Sequence, residues 1–142
     1  MKLILSAICS VAIIVLSQSC YAQQSADELK MELLKDEQET PSTYLKIIKH
    51  DNTHRIDGWF VSGYIKNTAT LAHFKDAVVI VSYYTQALMH LSSQQYVIYQ
   101  SFRPNKAQYF LFKVHAPKET ASIKMMIKSA TAVEDSIGER HP

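Results

Sequence analysis

The clearest structural signal in the sequence is the stretch SIKMMIKS at residues 122–129. Apolar side chains stand at positions 123, 125 and 127, and lysine or serine occupies most of the positions between them. Successive side chains of a β-strand point to opposite faces of the sheet, so this period of two predicts a half-buried strand. We therefore expect Ile123, Met125 and Ile127 to face a core.

Five further stretches, rich in β-branched and aromatic residues, are predicted to be strands. They are residues 44–50, 59–66, 77–84, 94–102 and 109–115. Turn-forming residues separate them, namely Asp51 and Asn52, Asp57 and Gly58, Asn67 and Thr68, Pro104 and Asn105, and Pro117. No helix is predicted between the strands, which excludes a parallel βαβ sheet and favours a mainly β sandwich or barrel.

Alternation also assigns inward positions in the other strands. The expected inward residues are Trp59, Val61, Ile65, Ala77, Val79, Val81, Tyr83, Phe110, Phe112 and Val114. Gly63 interrupts one strand and predicts a bulge or a close backbone approach.

Two strands carry apolar side chains at outward positions as well. These are Val78, Ile80 and Tyr84 in one strand, and Tyr109 and Leu111 in another. One explanation is that the strands are central or are covered by an amphipathic helix. The other is that these five residues form an interaction face for a protein partner.

A short amphipathic helix with a linker is predicted over residues 23–42, before the strands. Ser25 and Glu28 have the spacing of a capping box, and Leu29, Leu33 and Leu34 fall on one face of the helix. Proline at position 41 cannot continue the hydrogen-bond ladder, so the helix is expected to end near residue 38. The β-domain is then expected over residues 43–134, with a disordered tail at residues 135–142.

The first 22 residues have the layout of a signal peptide. Lys2 precedes an apolar run at residues 3–16, which is too short to span a bilayer. Cleavage after Ala22 would release a periplasmic or secreted protein, whereas lipidation of Cys20 would anchor a lipoprotein to the bacterial cell envelope. Both cysteines, Cys9 and Cys20, lie in this segment, so the domain is expected to contain no disulfide.

Composition and motifs do not indicate nucleic-acid binding, a cofactor or catalysis. The net charge is +2, from 15 Lys and Arg against 13 Asp and Glu, without a basic stripe. The three glycines form neither a phosphate-binding loop nor a GxSxG elbow. His50, His54 and His73 lack the companion ligands typical of a metal site. We therefore expect no catalytic, cofactor-binding or metal-binding residue, and no enzymatic activity.

Eight tyrosines leave one alternative function open. Tyr96, Tyr99 and Tyr109, with Phe102 and Arg103, would form an aromatic platform for a carbohydrate or other small ligand if they lay on one surface. Tyrosine is also common in strands, so the same residues are consistent with a structural role.

The run VSGYIKN at residues 61–67 follows the pattern V-x-G-x-V-x-N. It is followed by Phe74, Asp76, VSYY at residues 81–84, Pro104, Phe110 and Pro117. Over residues 59–133 the chain thereby resembles the FxLYD-type domains, which are exported bacterial modules. The resemblance implies an antiparallel immunoglobulin-like β-sandwich of about six or seven strands and no catalytic residue. In that pattern Gly63 and Asn67 are expected to determine the fold, and Asn67 to bond the backbone of the following turn.

The expected function is that of an exported, non-enzymatic module that binds another protein. Binding is expected through the outward apolar residues or by addition of a strand at a sheet edge. The alternative is a small-ligand or carbohydrate-binding module that uses the surface tyrosines. Contact with a membrane is expected only if Cys20 is lipidated.

Overall fold

The computed structural model describes residues 25–134. Of these, residues 25–35 belong to one compact unit and residues 36–134 to a second. Residues 25–39 are helical and form α1, in agreement with the predicted helix, and Leu29 and Leu33 on it are exposed. The expected signal peptide with Cys20 and the expected tail at residues 135–142 lie outside the described residues.

A short helix and six strands follow α1. They are α2 (Pro41–Tyr44), β1 (Leu45–Arg55), β2 (Gly58–Asn67), β3 (Phe74–Tyr84), β4 (His90–Phe102), β5 (Ala107–Val114) and β6 (Ser122–Ala132). Proline occupies the first turn of α2, where its missing N–H is not needed. All six predicted strands are therefore present.

The strands form two antiparallel sheets of three strands each. The first sheet has the order β1–β2–β5 and the second the order β4–β3–β6. The pairs β2–β5 and β3–β6 each join strands that are three apart along the chain. The B–E and C–F pairs of an immunoglobulin sandwich have the same sequence spacing. The predicted antiparallel β-sandwich of about six strands is confirmed.

The core lies between the sheets and is filled by the inward positions. Its buried residues in the strands are Leu45, Val61, Ile65, Phe74, Ala77, Val79, Val81, Tyr83, Ile98, Phe102, Phe110, Val114, Ile123 and Ile127. The predicted inward residues are among them, except for Trp59, Phe112 and Met125, which are half-buried. Alternation therefore identified the core face of every strand to which it was applied.

The predicted turn at Asp51 and Asn52 is wrong. Strand β1 continues through these residues to Arg55 and pairs with β2 along its length, and the chain turns at residues 56–57 instead. Cross-strand pairing along the whole of β2 outweighs the weak strand propensity of aspartate and asparagine.

Gly63 marks a close approach of two strands. The neighbouring strand β1 has a bulge between Ile47 and Lys49. A Cβ atom on Gly63 would overlap the Lys49 carbonyl oxygen and would lie 3.0 Å from Cζ of Phe110. Glycine is therefore required here by space, as the sequence predicted, and the bulge itself lies in β1.

Residues 68–73 carry the chain from the first sheet to the second, and Asn67 holds the start of this crossover. Asn67 has no exposed surface. Its Oδ1 accepts a hydrogen bond from the Ala69 N–H (2.9 Å), and its Nδ2 donates to the carbonyls of Ala72 (2.8 Å) and Phe102 (2.9 Å). The expected bond between Asn67 and the following turn is confirmed.

Glu37, in the last turn of α1, holds the same crossover from the other side. It is only 2% exposed, and its carboxylate accepts hydrogen bonds from the N–H groups of Thr70 (2.7 Å), Leu71 (2.8 Å) and Ala72 (2.8 Å). Burial alone raises the pKa of Glu37, but the three N–H donors outweigh it, so the pKa lies below its ordinary value of 4.5.

We expect Glu37→Gln to lower the free energy of unfolding by about 2 kcal/mol at neutral pH, because hydrogen bonds to a charged group contribute about 1.5–3 kcal/mol. Since folding lowers the pKa of Glu37, the wild-type protein has this stability above pH 4.5 and loses it as the pH falls toward the folded-state pKa. In urea unfolding, the difference between wild type and variant should therefore shrink below pH 4.5. The exposed neighbour Glu39 provides the control variant Glu39→Gln, which should have little effect. A difference that is independent of pH would contradict this role of Glu37.

Candidate functional site

The five outward residues predicted as one interaction face lie on opposite sides of the sandwich. Val78, Ile80 and Tyr84 are on β3, the middle strand of the second sheet. Tyr109 and Leu111 are on β5, at an edge of the first sheet. The structure therefore divides them between two surfaces.

The surface around Ile80 is covered in part by polar side chains of its own sheet. Lys128 of β6 donates a hydrogen bond to Oε1 of Gln95 of β4 (3.1 Å). Because β3 lies between these two strands, the lysine side chain crosses it. Val78 and Ile80 are half-buried, and the apolar stem of Lys128 accounts for part of this cover.

Tyr84, at the end of β3, is also engaged by its neighbours. Its ring packs edge to face against His90, with centroids 5.4 Å apart, and Lys124 Nζ lies 5.0 Å from the ring centroid. The central position of β3 and these local contacts explain its outward apolar residues without a partner.

The outer side of the first sheet presents a second group of exposed apolar side chains. It consists of Phe60 and Tyr64 from β2 and Tyr109 and Leu111 from β5, and we call these four residues the aromatic face. Tyr64 lies opposite Tyr109, and the two rings pack edge to face with centroids 5.4 Å apart. Tyr64, Tyr109 and Leu111 are between 42% and 54% exposed. Because β5 is an edge strand, a central position in the sheet does not explain the outward apolar residues Tyr109 and Leu111.

Two members of the aromatic face are absent from the residues singled out in the sequence. Phe60 and Tyr64 alternate with Val61, Gly63 and Ile65, which are buried. This alternation is the signal that identifies Phe60 and Tyr64 as outward.

Cationic side chains surround the aromatic face. The Arg55 guanidinium lies 4.8 Å from the centroid of the Phe60 ring, and Lys113 Nζ lies 5.9 Å from it. Lys49 is the cross-strand neighbour of Tyr64. Asp51, opposite Ser62, is an acidic residue on the same side of the sheet. The face thus combines exposed aromatic groups with a mainly positive rim.

The residues proposed for a ligand platform do not lie on one surface. Tyr99 is exposed on the second sheet, whereas Phe102 is buried. Arg103 lines a separate hollow of about 520 Å³ near the β4–β5 turn. Tyr109 belongs to the aromatic face on the opposite sheet.

Tyr96 is tied into the interior by hydrogen bonds. Its hydroxyl donates to Oε1 of Gln94 (2.6 Å), accepts from the N–H of His115 (3.0 Å) and lies 3.1 Å from the hydroxyl of Tyr83. Burial, followed by hydrogen bonding to Tyr96, raises the pKa of Tyr83. This cluster closes the end of the core, which is a structural role.

The histidines considered as metal ligands are spread over the domain. His50 and His54 lie in β1, where His54 packs against Trp59 with ring centroids 5.0 Å apart. His73 is the last residue of the crossover, just before β3, and contacts Ser101 through its Nε2 atom. Within residues 25–134, no three His, Cys, Asp or Glu side chains are grouped so as to hold a metal ion.

We expect the Tyr64–Tyr109 pair to contribute a coupling of about 0.5–1.5 kcal/mol to stability, as edge-to-face aromatic pairs do. A double-mutant cycle with Tyr64→Ala and Tyr109→Ala, measured by urea unfolding, gives this coupling directly. Tyr99→Ala, on the other sheet, is the control and should be additive with Tyr64→Ala. Additivity within the Tyr64–Tyr109 pair would show that the two rings do not interact.

In the described range 25–134, no helix has the length and apolar character needed to cross a membrane. Neither a protein-family model, a curated protein nor a solved structure matches the chain significantly. The resemblance to FxLYD-type domains therefore stays a prediction.

Proposed function

We propose that the protein is an exported, non-enzymatic module that binds an acidic surface of another protein through its aromatic face. The observation that carries this proposal is the half-exposed group of Tyr64, Tyr109 and Leu111 within a mainly cationic rim. Export is proposed from the signal-like residues 1–22, with lipidation of Cys20 as the alternative to free release.

The chemistry of the aromatic face suits protein recognition. Tyrosine and arginine are enriched among the residues that contribute most to protein–protein binding, since each combines a large apolar area with hydrogen-bonding capacity. The T-shaped packing of Tyr64 on Tyr109 restricts both rings before binding, which lowers the entropy cost of association. Leu111 lies beside this pair and supplies an aliphatic anchor.

The cationic rim favours an acidic partner over a second copy of the chain. Arg55 and Lys113 contact Phe60, and Lys49 neighbours Tyr64. If two aromatic faces met, their positive rims would oppose each other, which costs free energy. An acidic partner would instead gain attraction and a faster association rate.

The test compares two glutamate variants with equal change in charge. Leu111→Glu places a carboxylate in the aromatic face and should reduce capture of the partner from a native envelope extract by about tenfold or more, as expected for a central interface residue. Met126→Glu makes the same charge change on the second sheet, at a residue of similar exposure, and should capture the partner as the wild type does. Binding of the purified partner should weaken as salt is raised.

Two results would contradict the proposal. One is that a folded Leu111→Glu variant captures the same proteins in the same amounts as the wild type. The other is that both glutamate variants lose the partner equally, since the effect would then reflect net charge rather than the aromatic face. The proposal also predicts that the aromatic face does not bind a second copy of the chain. In analytical ultracentrifugation, the wild type should therefore form no dimer that Leu111→Glu disrupts.

A further inference from the structure

Three connections between strands lie at one end of the sandwich. Trp59, just after the β1–β2 turn, pairs with Val114 at the end of β5. Tyr84, at the end of β3, pairs with Ser122 at the start of β6. Residues 115–121 join β5 to β6 and so link these two positions. The β1–β2 and β3–β4 turns are therefore at the same end, which we call the turn end.

Both turns at the turn end expose large apolar side chains. Ile56 is fully exposed, and Leu88 and Met89 are 72% and 64% exposed. Hairpin turns ordinarily carry Gly, Asn, Asp or Pro, which suit both turn geometry and water. These three side chains place apolar area in water while contributing little to the core.

Leu88 also has an unfavourable backbone conformation, with φ of 61°. The left-handed region is costly for a bulky side chain, and asparagine or glycine would relieve the cost. Thr85 holds the turn in place. Its N–H donates to the Met89 carbonyl (2.9 Å), its carbonyl accepts from the Leu88 N–H (3.0 Å), and its Oγ1 accepts from the Met89 N–H (3.2 Å). A fixed turn that presents leucine outward against its backbone preference indicates a contact outside the domain.

Positive charge predominates at the turn end. Residues 53–59, 84–91 and 113–124 contain four cationic residues, Arg55, Lys113, Lys118 and Lys124, and two acidic residues, Asp57 and Glu119. Asp57 lies 3.7 Å from Lys113 and offsets part of its charge. The surplus of positive charge favours an anionic surface as the partner.

Trp59 lies within the turn end as well. It is half-buried and lines a hollow of about 440 Å³ together with His115, Pro117 and Lys118. Tryptophan and lysine are residues typical of the headgroup region of a bilayer, where an apolar ring and a charged group are both accommodated.

We infer that the turn end docks on the surface of a bilayer that contains anionic lipids. Ile56, Leu88 and Met89 enter the boundary between headgroups and acyl chains, while the cationic residues contact lipid phosphates. Apolar tips on separate turns fit a fluid surface, which closes around each side chain, whereas a protein would need a matching pocket for each. The contact does not involve Tyr64, Tyr109 or Leu111. Arg55 and Lys113 border both surfaces, so variants of the apolar residues, which leave these two cations in place, separate this contact from the proposed protein-binding function.

Trp59 provides a local readout of this contact, because it is the only tryptophan in the chain. Vesicles made of equal parts phosphatidylglycerol and acyl-brominated phosphatidylcholine should quench its fluorescence. Vesicles of brominated phosphatidylcholine alone should bind about tenfold more weakly, because they lack the anionic headgroups. If the N-terminal segment also attached the protein to the vesicles, that attachment would be the same in all variants. It would not bring Trp59 to the lipid surface.

The double variant Ile56→Ser with Leu88→Asn tests the apolar tips. Asparagine accepts the left-handed backbone, so this variant should melt at the same temperature as the wild type or higher. We expect its affinity for the anionic vesicles to fall by about tenfold or more. Leu111→Ser, on the aromatic face, should bind the vesicles as the wild type does, and the double variant should still capture the protein partner.

Equal quenching of Trp59 in the wild type and the double variant would overturn the inference, as would the absence of quenching in the wild type. If the double variant instead loses a captured protein while no variant binds vesicles, the turn end is a protein contact and the lipid assignment is wrong.

Discussion

The arrangement of the two sheets depends on the hydrogen bonds that hold the crossover between β2 and β3. Residues 68–73 leave one sheet and enter the other, and the N–H groups of residues 69–72 join neither ladder, so they need other partners. Glu37 accepts from three consecutive N–H groups of this segment, and Asn67 pairs with groups at both of its ends. Asn67 also donates to Phe102 at the end of β4, so one side chain connects the two sheets. The registers of the β2–β5 and β3–β6 pairs depend on this junction. These registers in turn set the position of every outward residue.

Much of the fold could be predicted from the sequence, because β2, β3, β5 and β6 each bury one face and so show a period of two. Asn67 could be predicted as well, because it bonds locally to the turn that follows it. Glu37 could not, since a glutamate in a short amphipathic helix is ordinarily solvated, and only the folded chain brings it to residues 70–72. The length of β1 could not be predicted from the sequence either. Asp51 and Asn52 favour turns locally, and only pairing with β2 keeps them in the strand.

The candidate surfaces, too, could be predicted only in part from the sequence. Alternation identifies which side chains point outward, but it does not say which sheet a strand joins, so it groups Val78 with Tyr109 although the two lie on opposite sides of the sandwich. It also does not reveal cover by a side chain that is remote in sequence, as Lys128 of the neighbouring strand β6 provides over β3. The turn end likewise becomes visible only when the topology places Ile56 and Leu88 at one end. At both surfaces the informative residues are those that break a local rule: apolar side chains on an edge strand, and leucine at a turn position suited to asparagine.

Native-state hydrogen exchange of the amides of Thr70, Leu71 and Ala72 tests most directly whether the crossover is a fixed part of the core. Their N–H groups are bonded only to the Glu37 carboxylate in the structure, outside any helix or strand. If that junction holds the sheets together, these amides should exchange only through global unfolding, with the same protection as the amides of β3. Rapid exchange of residues 70–72, as in an ordinary surface loop, with β3 still protected, would show that the sandwich stands without the junction.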